Sequence, residues 1–186
     1  MKRHSIFLIV SLFLLVSCIN KTTGTISDNW KTELNQQLPI LGHRNWILIV
    51  DKAFPVQNSE GIITINTGEK LLPVLKYTLN KLNQSTHVKP NIFIDKELGF
   101  ITSTQVSDIK QYRDSMKFAL TNFNVGTLKH DSVFLKIDEA AKLFRIIVLK
   151  TEEVIPYSSV YIQLDCRYWD TKMQQELEMT MKKFEE

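Results

Sequence analysis

The stretch Leu41-Gly42-His43-Arg44-Asn45-Trp46-Ile47-Leu48-Ile49-Val50-Asp51-Lys52-Ala53-Phe54-Pro55 decides the fold. Its centre, Trp46 to Val50, is a short unbroken apolar run rich in branched side chains, which predicts a strand covered on both faces. His43 stands before the run and Asp51 ends it. In an open α/β sheet, ligands collect outside the carboxyl ends of the strands, so Asp51 is a candidate binding or acid/base residue. His43 is the second candidate. A Gly-His pair before a strand also serves as a helix C-cap followed by a turn, and an Asp after a strand also caps the next turn. Spacing alone leaves both readings open.

Upstream of this stretch the chain opens on an address. Lys2, Arg3 and His4 form a basic start, Ile6 to Val16 is an apolar run too short for a membrane span, and Leu15-Val16-Ser17-Cys18 reads as a lipobox. The motif predicts a lipoprotein signal peptide over 1–17, cleaved before Cys18, in preference to a short uncleaved anchor or an ordinary secretory signal. Lipid, palmitate among it, is then carried on the Cys18 side chain and the new amino terminus. Ile19 and Asn20 follow with no Asp, so an outer-membrane anchor facing the periplasm is expected. The polar, Thr-rich segment 18–27 reads as a lipid-attached tether. A first helix is predicted from an N-cap at Ser27 or Asp28, with Trp30, Leu34 and Leu38 on one face, bent or ended early by Pro39.

Downstream, Ile62 to Ile65 reads as a second strand, and Leu71, Leu72, Leu75, Leu79 and Leu82 recur at helical spacing between Glu69 and Asn83. Asn91 to Asp95 is another apolar strand ending in an acid, which makes Asp95 a weaker rival to Asp51. Ser107 and Asp108 open a helix carrying Ile109, Tyr112, Met116 and Leu120. Ser132 to Ile137 reads as a strand, Asp138 to Phe144 as a short helix, and Ile146–Leu149 and Val160–Leu164 as strands. Strands alternating with helices predict a three-layer α/β sandwich with a largely parallel sheet.

Composition narrows the function. Removing the seventeen leader residues from 186 leaves 169, one ordinary domain, and takes away Lys2 and Arg3, so the formal charge falls from +3 to +1. No basic stripe with interleaved aromatics remains for nucleic acid. With Cys18 lipidated, Cys166 has no partner in the chain and reads as a small buried residue. The four His residues are scattered, so no metal site is expected, and there is no glycine-rich phosphate loop.

Gly42-His43, seven residues, Asp51 and then Phe54-Pro55 resembles the opening motif of the ribose pyranase and fucose mutarotase family (RbsD/FucU). Later, Asp138 to Phe144 is similar to the family's short acidic, Lys-containing helix. Val148 to Glu153 stands in the place of its strand and Thr-Gly-Glu turn, and Pro156-Tyr157-Ser158-Ser159-Val160 resembles its Pro-Tyr-Ala-Asn-Ile motif. The resemblance implies an RbsD/FucU-like domain over 28–165 that acts on a free monosaccharide, ribose- or fucose-like. Such enzymes interconvert ring forms or anomers by acid/base catalysis, with no cofactor and no metal. Carried over residue by residue, His43 is the catalytic proton carrier, Asp51 holds a sugar hydroxyl or orients the histidine, and Tyr157 and Ser159 bind substrate. It also implies a ring-shaped homo-oligomer in which the Tyr-containing segment lies close to a neighbouring subunit's site.

The departures are specific. Ser159 replaces the motif's Asn, Asn45 stands where many relatives have Asp, Glu152 stands where the turn has Gly, and the His or Arg before the acidic helix falls at Ile137 or a neighbour. Each lost neutral hydrogen-bond partner costs about 0.5 to 1.5 kcal/mol. A non-catalytic sugar-binding or assembly lipoprotein on the same fold is therefore the alternative. Residues 166–186 form a C-terminal helical extension with Met173, Leu177, Met181 and Phe184 at helical spacing. The extension either packs on its own domain, binds a partner, or replaces the ring interface.

Overall fold

A computed structural model describes residues 26–185, with side chains for 29–184. The leader, Cys18 and most of the tether lie outside the described residues. The strands are β1 Trp46–Val50, β2 Ile62–Asn66, β3 Val88–Asp95, β4 Val125–Leu128, β5 Ile146–Lys150 and β6 Val160–Cys166. The helices are α1 Ile26–Gln37, α2 Leu71–Gln84, α3 Ile109–Ala119, α4 His130–Ala141 and α5 Thr171–Glu185. Among the described residues the strands form one six-stranded sheet in the order β2-β5-β1-β6-β3-β4. β1 to β5 run in one direction, and β6 alone runs against both of its neighbours, β1 and β3.

The sheet is covered on both faces, as the apolar run of β1 predicts. Successive strand residues point to opposite faces. Ile47 and Ile49, with Ile147, Leu149 and Ile162, meet α1, α2 and α3, whereas Trp46, Leu48 and Val50, with Ile146, Val148 and Tyr161, meet α4. All five β1 side chains are buried. At roughly 1.5 to 3 kcal/mol for each large apolar side chain removed from water, β1 is a rigid reference from which flanking side chains project. Pro39 sits in a 3-10 turn, Leu38–Ile40, that ends α1. α1 is already helical at Ile26, the first described residue, ahead of both expected cap residues.

Two segments depart from the expected order. The alternation Val133, Leu135, Ile137 mimics a strand, but His130–Ala141 is one helix, and the expected short helix from Asp138 is its second half. Val133, Ile137 and Ala141, four residues apart, are the positions buried against the sheet, while Leu135 is exposed. β4 was absent from the expected strands because it is four residues long, includes Gly126 and lies at the sheet edge. There a Cβ on Gly126 would stand 2.8 Å from the Phe93 ring. At the carboxyl end, Met173, Leu177 and Met181 on α5 are 40%, 42% and 51% exposed, so its apolar stripe is not covered by the domain. Cys166 is half-buried and unpaired among the described residues. No helix among them is long and apolar enough to cross a membrane.

Candidate active site at the carboxyl ends of the strands

The reversed strand assembles the site. β1 and β3 end at the same edge where β6 begins, so Asp51 after β1, Asp95 at the end of β3, and Tyr157 to Ser159 before β6 meet there. His130, the first residue of α4, arrives from β4 at that edge. Asp51, Phe54, His130, Phe134, Pro156 and Tyr157 line a cleft of about 520 Å³, within the usual range of small-molecule sites.

Each polar group in the cleft has a defined support. The Ser159 hydroxyl donates to Asp51 Oδ2 at 3.0 Å and accepts from the Asp51 backbone N–H at 3.2 Å, while Ala53 N–H donates to Oδ1 at 2.9 Å. Ser159 is therefore spent on fixing Asp51, and it is fully buried. Tyr157 is 38% exposed and holds a left-handed backbone, φ 56°. For a non-glycine residue that conformation costs about 1 to 3 kcal/mol, and such strain concentrates at ligand sites. The His130 ring packs edge-on against Tyr157 at 5.2 Å and against Phe134 at 5.0 Å, and Phe134 stacks on Phe54 at 5.4 Å. At the rim, Lys52 pairs with Glu152.

Beneath His130 lies a buried acid. Asp95 Oδ2 stands 3.1 Å from His130 Nδ1 and accepts a hydrogen bond from the Tyr161 hydroxyl at 3.0 Å. Burial pushes the Asp95 carboxyl up to about 6, against the opposing pull of His130 and Tyr161 and with a small upward push from Glu97. The same burial, reinforced by the neighbouring Asp95, raises the Tyr161 phenol and keeps it a donor.

The structure brings Asp51, Tyr157 and Ser159 together and places His43 elsewhere. His43 lies at the opposite end of β1, roughly 16 Å away by strand rise. Its Nδ1 is 3.0 Å from Asp165 Oδ1, and its Nε2 accepts from Arg44 Nε at 3.2 Å. Burial is the largest single influence on the Asp165 carboxyl and pushes it up, but the Cys166 N–H, His43 and Lys89 together outweigh it and hold the carboxyl below the usual range. Within one chain, then, the expected meeting of His43 with Asp51 does not occur. The imidazole in the cleft is His130, which sequence reasoning missed because it marked no helix start there. The spacing of Val133, Ile137 and Ala141 was the available signal. The expectation that Ile137 or a neighbour leaves the cleft without a polar ring is corrected by His130, while Ile137 itself is buried in the core.

The sequence matches no protein-family model and no curated protein. Solved structures do match. The fucose mutarotase of Streptococcus pneumoniae in complex with L-fucose is 17% identical, covers 74% of this chain and 94% of its own, and superposes with a TM-score of 0.50. FucU from Bifidobacterium longum is 19% identical over 71% and 92%, TM-score 0.49. RbsD of Bacillus subtilis complexed with D-ribose is 20% identical over 71% and 90%, TM-score 0.48. The chain has the RbsD/FucU fold, an α/β sandwich with a largely parallel sheet, here extended by a C-terminal helix.

Proposed function

We propose that this protein is a monosaccharide mutarotase or pyranase-like isomerase that interconverts ring forms or anomers of a free ribose- or fucose-like sugar. The observation that carries the reading is the convergence of the Asp51 carboxylate, the Tyr157 phenol and the His130 imidazole on one cleft at the carboxyl ends of the strands. Ring opening needs a base to take the proton of the anomeric hydroxyl while an acid delivers a proton to the ring oxygen. The bond between the anomeric carbon and the ring oxygen then breaks to give the open-chain aldehyde, and reclosure on either face or through another hydroxyl reverses both transfers. Two imidazoles suit this exchange near neutral pH. His130 is one. The other is His43 of a neighbouring copy in a ring-shaped homo-oligomer, since His43 and the cleft sit at opposite ends of the same strand. Asp51, fixed by Ser159, holds a sugar hydroxyl, and Tyr157 donates a second hydrogen bond. The mature protein is tethered by lipid on Cys18, at the outer membrane facing the periplasm.

Saturation-transfer NMR on the full chain with ribose, fucose and other free sugars tests this reading. Wild type is expected to accelerate anomer exchange, and His43→Ala and Asp51→Asn to abolish it. An equal mixture of those two inactive variants, dissociated and reassembled, is expected to recover about a quarter of the activity, because some sites then draw intact groups from two chains. Absence of sugar contact in wild type overturns the proposal. A second reading, sugar binding without turnover, is favoured by one observation: both ring nitrogens of His43 are engaged, by Asp165 and Arg44. Sugar contact without accelerated exchange supports it.

A further inference from the structure

Asp95 and Tyr161, both buried beneath the cleft, are not among the residues that the sugar chemistry uses directly. Asp95 is 1% exposed, its Oδ1 has no hydrogen-bond partner, and its Oδ2 is shared between the Tyr161 hydroxyl and His130 Nδ1. His130 Nδ1 is itself buried, and its 3.1 Å approach to Oδ2 lacks the alignment of a well-directed hydrogen bond. Catalytic hydrogen bonds are often poorly aligned before substrate binds. The side chain of His130 is 29% exposed although Nδ1 is not, so the open edge of the ring is the one that carries Nε2. The backbone is pinned as well, since the His130 N–H donates to both oxygens of Glu97 at 3.2 Å. A carboxylate with an unmet oxygen in the core weakens the fold, and groups kept at such a cost cluster at functional sites.

We propose that Asp95 is a positioning residue for His130. Its carboxylate, anchored by the Tyr161 hydroxyl, holds the imidazole with Nδ1–H inward and the Nε2 lone pair toward the cleft. This deepens the acid/base reading above and rests on it for turnover, but not for the orientation of the ring. When Nε2 takes the anomeric proton, the imidazolium formed is faced by Asp95 from β3 and Glu97 from the turn after it. Tyr161 lies behind Asp95, Asp131 follows on α4, the Tyr157 ring packs against the imidazole, and Asp51 lines the same cleft. Asp95, buried beside the ring, stabilises the positive charge in a setting of low dielectric. Proton return through Nε2 restores the starting tautomer, so Asp95 neither gains nor loses a proton in the cycle.

The test is ¹⁵N NMR of the His130 ring in the full chain at pH 8, in wild type and in Asp95→Asn, beside sugar-exchange kinetics. Wild type is expected to hold mainly the Nδ1–H tautomer. In D95N the ratio of Nδ1–H to Nε2–H is expected to fall at least about tenfold, the factor carried by one charge-assisted hydrogen bond. The same variant should lower kcat by about tenfold or more with KM within about twofold. An unchanged tautomer ratio overturns the proposal. Should wild type fail to exchange any sugar, the isomerase reading falls, and the tautomer ratio still decides the role of Asp95. Should D95N not fold, wild type carries the test alone: the Asp95 carboxyl ¹³C signal and the His130 ring ¹⁵N signals must each respond to the protonation of the other group, and signals that move independently overturn it.

Discussion

Replacing Asp95 by Asn should make the protein more stable at pH 8 while slowing the proposed sugar exchange. The Asp95 carboxyl titrates at about 6 in the folded chain, against an ordinary 3.8. Between those values the folded chain keeps a proton that the unfolded chain has released, so stability falls as pH rises through the window. Below about pH 4 both states are protonated and Asp95 costs nothing. Above about pH 6 the full penalty is present. A difference of about two pH units corresponds to roughly 3 kcal/mol, and with Asp95 1% exposed, solvent screening removes little of it. The Asn side-chain oxygen can still accept the Tyr161 hydroxyl, so that hydrogen bond survives the exchange. The expected result is a variant about 2 to 3 kcal/mol more stable than wild type at pH 8, with the gap closing to below about 1 kcal/mol near pH 4. Urea unfolding at a series of pH values, followed by the fluorescence of buried Trp30 and Trp46, reads this directly. Titrating groups that do not face Asp95 are common to both chains and cancel in the difference, so what remains belongs to Asp95 and its partners His130 and Tyr161. A gap that does not change with pH, or a variant less stable than wild type at pH 8, refutes the reasoning. Stability gained together with activity lost is the antagonism expected of a group kept for function.

Two further substitutions probe the frame around the site. Gly61→Ala is expected to cost about 1 to 3 kcal/mol, since its Cβ would stand 2.6 Å from the Ala141 carbonyl oxygen and 3.1 Å from that of Phe144, backbone atoms that cannot swing aside; a Tm unchanged within about 1 °C in differential scanning calorimetry contradicts it. Truncation before Asp170, which removes α5, is expected to shift Tm by less than about 4 °C because its apolar side chains are already half-exposed. A fall of 8 °C or more would mean that α5 is packed against something in solution.

The parts of this molecule legible in the sequence are those where one local pattern has one physical cause. Trp46 to Val50 is apolar at every position because both faces of β1 are covered, and that fixed the α/β class and the acid at the strand's carboxyl end. Asp95 was visible by the same rule as a second acid ending a strand. The reversal of β6 was not visible, because strand direction depends on long-range pairing and leaves no local periodicity. That reversal decides the site, since it carries Tyr157 and Ser159 to the carboxyl ends of β1 and β3 instead of the opposite edge. His130 was hidden for a different reason. Val133, Leu135 and Ile137 satisfy a period of two, Val133, Ile137 and Ala141 satisfy a helical one, and only the unpartnered exposure of Leu135 separates them. Misreading that period removed a helix start, and with it the one imidazole among the described residues that shares a cleft with Asp51 in the same chain. The seven residues between His43 and Asp51 point the same way: a strand long enough to span the sheet must hold its two ends apart, so a motif with a reactive group at each end implies either two separate sites or one site built from two chains.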